Sequence, residues 1–162
     1  MLSIYLTTIL LMIIQIAIIV GISAYFFKSL VLSQLGPISL ILTVSTSLFV
    51  LLGMLIAYVF KAEQTITLVT ISFGSLLLFL SDVILPIESM PLLVQSIVKF
   101  NPFLISEQLL KKVILFGVEF SSLVPDILYL AGLSLAAFIL IMLNEKLIKR
   151  HFLAKIFKGV FK

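Results

Sequence analysis

The sequence predicts an all-α integral membrane protein: four transmembrane helices, with a re-entrant extracytoplasmic helical hairpin before the last span. Three observations lead there. Of the 162 residues, 62% are hydrophobic and only 11% are charged, against roughly 25% charged in an average soluble domain. Mean hydropathy is +1.36, more apolar surface than a water-soluble fold of this size can hide. The few charges are also segregated, so that residues 1–27, 29–60, 64–81 and 127–144 carry none. A helix rises about 1.5 Å per residue, and about 20 residues cross a hydrocarbon core roughly 30 Å thick.

The elements follow in chain order. SIYLTTILLMIIQIAIIVGISAYF predicts a first span over about residues 4–27. No basic segment precedes it, and it exceeds the roughly 7–15 apolar residues of a signal peptide, so it reads as a retained helix. Ser33-Gln34-Leu35-Gly36-Pro37 breaks the second stretch. Proline suits the first turn of a helix, and Pro37 opens a second span to about Phe60. Lys61-Ala62-Glu63-Gln64 is a short polar turn. The third span covers about 65–85, with Asp82 in its last turn. Pro125-Asp126 opens the fourth, about 126–145, since both residue types fit a helix N-terminus. Asn144-Glu145-Lys146 closes it. The whole of 1–162 is then one membrane domain.

Basic residues set the orientation. Lys146, Lys149, Arg150, Lys155, Lys158 and Lys162 are six of the eleven Lys and Arg. The positive-inside rule places that end, and by four crossings the N-terminus and Lys61, in the cytoplasm of a plasma-membrane protein. Residues 86–125 fall outside, although Lys99, Lys111 and Lys112 lie among them. In the tail, 146–162, Leu147, Phe152, Leu153, Ile156, Phe157 and Phe161 interleave with the cations. That pattern fits a basic amphipathic helix on an anionic leaflet. The plainer reading is a cytoplasmic anchor that fixes topology.

The segment 86–125 is long for a loop and too apolar for open water. Leu92, Leu93, Ile97 and Val98 precede Lys99-Phe100-Asn101-Pro102, and residues 103–116 read as a helix shorter than a span. Two short helices, about 91–117, hinged at Asn101-Pro102 make a re-entrant hairpin. Such backbone is tolerated at membrane depth only where protein or water surrounds it.

The stretch LFLSDVILPIESMPLLVQSIVKFNPFLISEQLLKKVILFG, residues 78–117, resembles the signature region of type-2 ABC transporter permeases, the membrane subunits of many exporters. The matching positions are Leu80, Ser81, Pro86, Pro91, Asn101 and Pro102, with Lys111 where the family usually has arginine. The residue after Ser81 is usually glycine in the family and is Asp82 here. The resemblance implies six spans, of which these look like the last four. It therefore implies a truncated or partial chain. It also implies two kinds of partner besides the lipid bilayer: an ABC-type ATP-binding subunit, and a second permease copy or the missing permease half.

The candidate pathway or gating residues are Asp82, Pro86, Glu88, Pro91, Asn101, Pro102, Glu107 and Lys111, of which the acids Glu88 and Glu107 fall outside the positions matched by the resemblance. Each has a plainer reading. An intramembrane acid is a functional candidate by default, yet Asp82 also fits a wet helix end. Pro86 and Pro91 suit helix stops as well as hinges. Glu107 and Lys111, four apart with the acid first, suit a surface pair. Gln15, Thr43, Ser45, Thr46, Ser47, Thr65, Thr67, Thr70, Ser72 and Ser75 are mild polar groups that hydrogen-bond within or between helices. The runs Ser45-Thr46-Ser47 and Ser72-Phe73-Gly74-Ser75 suit close helix approach.

Catalysis is not expected. No Gly-rich phosphate loop is present, so ATP binding is expected of a partner. Nor is a nucleophile–base set or a carboxylate pair placed for acid–base work. One histidine, His151, and no cysteine argue against a metal site or cofactor. The net charge of +4, gathered at one membrane flank, does not point to nucleic acid. The expected function is a permease subunit of an ATP-driven exporter. The alternatives are a four-span scaffold or assembly protein without transport activity and, third, a secondary carrier working through Asp82.

Overall fold

The computed structural model describes residues 2–26, 33–60 and 62–160, with side chains up to residue 144. Lys61 of the expected inner turn, and the side chains of the expected basic tail, lie outside them. Among the described residues six α-helices follow in order: α1 (Leu2–Phe26), α2 (Leu35–Val59), α3 (Glu63–Phe79), α4 (Leu92–Val98), α5 (Pro102–Phe116) and α6 (Phe120–Val160). A single 3₁₀ turn, Ile87–Ser89, interrupts the link from α3 to α4. No strand occurs among the described residues, and the protein is an all-α membrane protein.

Among the described residues, three helices are long and apolar enough to cross a membrane: Ser3–Phe26, Leu35–Val59 and Phe120–Asn144. Apolar sequence alone makes them, and several hydroxyls within them are satisfied locally. Thr7, Thr8 and Thr43 each donate to the carbonyl four residues back, at 2.9, 2.9 and 2.7 Å. Lipid offers these groups no partner, so returning the proton to the helix avoids an unsatisfied donor.

The core is built on α2. Its buried residues Ile38, Ile41, Ser45, Leu48 and Leu51 recur at three- and four-residue spacing and so form one face. Leu109 and Val113 of α5 and Leu123 and Leu130 of α6 pack against it, all fully buried. A second cluster joins Leu51 to Ala137 and Ile141 of α6. Ser45 Oγ donates to Ser106 Oγ across the α2–α5 contact at 2.9 Å, and Ser106 Oγ donates in turn to the Pro102 carbonyl at 2.7 Å. Tyr5 of α1 and Ser47 of α2 share a hydroxyl–hydroxyl bond of 2.5 Å. The other small-residue run, around Gly74, has no atom within 4 Å of the space a Cβ would take.

The expected third span, 65–85, differs from α3. The helix has 17 residues and ends at Phe79, and at about 25 Å it is shorter than the hydrocarbon core. Asp82 therefore lies beyond the helix, in a turn. The cause is capture of the last carbonyls by side chains. Ser81 Oγ donates to the Leu78 carbonyl at 2.5 Å. Asn101 Nδ2 donates to the Leu77 and Leu80 carbonyls, both at 2.8 Å. These are the acceptors that a continuing helix would have bonded to its own N–H groups.

The expected fourth span, 126–145, is longer at both ends. α6 begins at Phe120, with Pro125 inside it. Proline removes one helical bond, to the carbonyl of Ser121, but that residue is exposed and near the helix start. There the loss is small, so proline marks the neighbourhood of the start rather than the start itself. At the other end the helix runs through Asn144-Glu145-Lys146 without a break to Val160.

α5 begins with Asn101 as its cap and Pro102 as its first residue. Asn101 Oδ1 accepts from the Phe103 N–H at 3.0 Å, which satisfies one of the first-turn donors. The helix ends at Gly117, whose φ of 57° lies in the left-handed region where a Cβ is penalised. Asn101 is 7% exposed, and its carboxamide thus joins the end of α3 to the start of α5.

A pair of substitutions tests that joint. Asn101→Ser keeps a capping oxygen and loses both donors to α3, and should cost about 1–3 kcal/mol for two bonds. Asn101→Asp also keeps the cap but turns a carboxylate toward two carbonyls, and should cost more. Denaturant titration followed by circular dichroism in micelles measures both. Equal stability of Asn101→Asp and the parent would show that the joint is not there.

Candidate functional site

The polar groups gather where α3 ends and α5 runs past it. Asp82 lies three residues beyond α3, in the turn that Ser81 starts. Ser81 is fully buried, and its Oγ also accepts from the Val83 N–H at 3.3 Å. This fixes the turn and aims Asp82 at α5. Asp82 Oδ2 meets Lys111 Nζ at 3.1 Å, and its Oδ1 accepts from the Ile87 N–H at 3.3 Å. Lys111 Nζ also meets Glu107 Oε1, one turn back on α5, at 2.7 Å. One ammonium therefore holds two carboxylates from two elements.

The electrostatics follow from that geometry. The hydrogen bond from Lys111 holds the Asp82 carboxyl below the ordinary value of 3.8, with partial burial opposing it and the Ile87 amide assisting. Glu107 first, and Asp82 second, raise the Lys111 ammonium above the ordinary 10.5. The Glu107 side chain is only 13% exposed, and its Oε2 is buried without a hydrogen-bond partner. The pair is thus more enclosed on its acidic side than the surface pair the spacing suggested.

Of the eight candidate residues, five converge: Asp82, Glu107 and Lys111 as the ion cluster, Asn101 and Pro102 as the α3–α5 joint beside it. Pro86, Glu88 and Pro91 are exposed and lie along the link instead. Pro86 precedes the 3₁₀ turn, and its carbonyl accepts from the Ser89 N–H at 3.0 Å and from Ser89 Oγ at 2.7 Å. The Pro91 carbonyl accepts from the Gln95 N–H at 3.0 Å and so opens α4. Both prolines flank short helical turns. Met90, Val98 and Leu104 form a small apolar cluster under the link, with Leu80 and Ile87 against it.

Two further interactions carried no signal in the sequence. Lys112 Nζ meets Asp126 Oδ2 at 2.9 Å and ties α5 to α6. Ser106 pairs with Ser45 from 61 positions away. An acid in the first turn of a helix has a sufficient local explanation, and a serine pair has no period, so neither contact is legible before the fold is known. Among the described residues no group of three or more His, Cys, Asp or Glu is placed to hold a metal ion. The cluster is a polar latch between elements.

A family model described as ABC-2 type transporter matches residues 1–115, which takes in α1 to α4 and all but the last residue of α5. Comparison with curated proteins and with solved structures found no match. Since the family match covers well over half of the 162 residues, this chain, a membrane permease component, belongs to the ABC-2 type transporter family.

Proposed function

We propose that the chain is the permease subunit of an ATP-driven exporter in the plasma membrane, energised by a separate ATP-binding subunit. The family match over residues 1–115 carries this reading. The helix surfaces support it. α3 has no buried residue, and no residue of the α1 span is buried, so two apolar helices keep their faces for lipid or for other subunits. A second permease copy, or the remaining permease half, is the partner those faces suit. α3 makes the fourth crossing, with its following turn at the outer surface, and both termini are cytoplasmic.

The reading has a direct test. The full chain, solubilised in mild detergent, should co-purify with an ATP-binding subunit encoded beside it, and that subunit's ATP hydrolysis should rise when the two are reconstituted. Absence of any such subunit from the purified material, with no ATPase gene adjacent, would sink the proposal.

Within that function, the ion cluster latches the α3–α4 link to α5. Asp82, with its lowered pKa, stabilises the latch above 3.8 and loses that effect only as pH falls through the lowered value. Lys111, with its raised pKa, contributes fully below 10.5 and loses its effect as pH rises through the raised value. Protection of the Ile87 amide against hydrogen exchange should therefore stay level between about pH 5 and pH 9 and drop outside the two limits. Lys111→Met should lower it throughout and move the acid-side loss to higher pH. The pair is partly exposed, so the stability change should be about 0.2–1 kcal/mol. Unchanged Ile87 protection in Lys111→Met would remove the latch.

A further inference from the structure

Two clefts lie end to end along one stripe of α6. The upper, about 490 Å³, lies between α5, α6 and the α4–α5 link, and its rim carries Lys99, Lys112, Gln108, Asp126 and Tyr129. The lower, about 270 Å³, is almost wholly apolar and lies between α2, α3 and α6. Phe100 is a wall of both. Its carbonyl accepts a hydrogen bond from Tyr129 at 3.3 Å, and the residue is 67% exposed. On α6 the lining positions are Asp126 and Tyr129 above, then Leu133, Ala136, Ala137 and Leu140 below. Asp126, Tyr129, Leu133, Ala136 and Leu140 follow in steps of three and four and so share one face, with Ala137 at its edge.

The chemistry changes along that stripe in the order an amphiphile needs. Asp126 to Leu140 spans about 21 Å along the axis, somewhat more than half of a roughly 30 Å hydrocarbon core. The polar cleft is therefore at the depth of headgroups, where a tyrosine is also at home, and the apolar one is at the depth of acyl chains. Cations exceed acids at the rim: Lys112 is paired with Asp126, while no carboxylate pairs with Lys99 among the described residues. The upper cleft thus favours a negative group, with Gln108 and Tyr129 as further hydrogen-bonding groups.

We propose that this stripe binds one anionic phospholipid, with its headgroup between Lys99 and Lys112 and an acyl chain in the slot below Phe100. The site is independent of the export reading, because a lipid bound there is a ligand whether or not the chain transports anything.

The protein has no tryptophan, so Phe100→Trp gives a single tryptophan, excited selectively over the tyrosines, at the junction of the two clefts. The full chain carrying it is reconstituted in phosphatidylcholine vesicles containing graded fractions of brominated phosphatidylglycerol or, separately, brominated phosphatidylcholine. Phosphatidylglycerol should quench at a lower mole fraction than phosphatidylcholine. Lys99→Gln should raise the half-quenching fraction about fivefold, the usual effect of one cation at a membrane surface. Ala136→Phe, which fills the lower slot and leaves the lysines, should raise it as well. Quenching by brominated phosphatidylcholine reports that each variant is inserted, and circular dichroism that it keeps its helices. Preference that survives inorganic phosphate in the buffer supports a lipid ligand, and displacement by phosphate alone overturns it in favour of a bare anion site. Identical curves for the two lipids, or no change in Lys99→Gln and Ala136→Phe, would also overturn the proposal.

Discussion

One carboxamide decides how the middle of this protein is arranged. A helix that stops inside or near a bilayer leaves carbonyls with no water to bond. α3 stops after 17 residues, and Asn101 supplies both donors to its last turn while its oxygen caps α5. Aspartate lacks the donors, serine has one at most, and glutamine is a methylene too long for the cap. The same side chain thus ends one helix, starts another and fixes their separation. The buried Ser81 hydroxyl assists by taking the Leu78 carbonyl. The Asp82 turn and the Lys111 ion pairs are consequences of where that joint places α5.

Packing then spreads from α2. In lipid, burying leucine against leucine gains little over burying it against acyl chains, so helices associate through close fit and a few polar bonds. The structure follows that economy. α2 meets α1, α3, α5 and α6; its buried Ser45 bonds to α5, and its half-buried Ser47 bonds to Tyr5 of α1. α1 and α3 have no such buried face. Their leucines and isoleucines point outward, where a soluble protein would show charge. The apolar composition is therefore not a core; most of it is surface made for oil.

The sequence carried the fold class, the long helices and the Asn101-Pro102 hinge because each rests on a local rule. Charge-free length needs no partner to be recognised, and Asn-Pro caps and opens a helix wherever it occurs. What was not legible depends on partners far along the chain. α3 ends six residues before its uncharged run and following turn suggested, because its carbonyls are taken by a residue 21 to 24 positions away. α6 begins six residues before Asp126, because proline tolerates a range of early positions rather than one. Asp82, Glu107 and Lys111 were candidates from residue type, local spacing and the family pattern. Their convergence on one ammonium, and the pairing of Lys112 with Asp126, required the fold.

The distribution of contacts gives α3 a mechanical character. It packs only lightly, on α2 and α5, and buries no side chain. Its C-terminal end, by contrast, is held by Asn101 and Ser81 and continues into a turn latched through Asp82. A helix secured at one end and loosely packed along its length is displaced most cheaply by pivoting about the secured end, since sliding would break every bond at the joint at once. The two fastenings at that end also differ in kind. Buried amide–carbonyl bonds are costly to leave unmade, whereas the partly exposed Lys111–Asp82 pair exchanges readily with water. The ion pair can open while the carboxamide stays in place. The link to α4 is thus free to change its contact with α5 without unfastening α3.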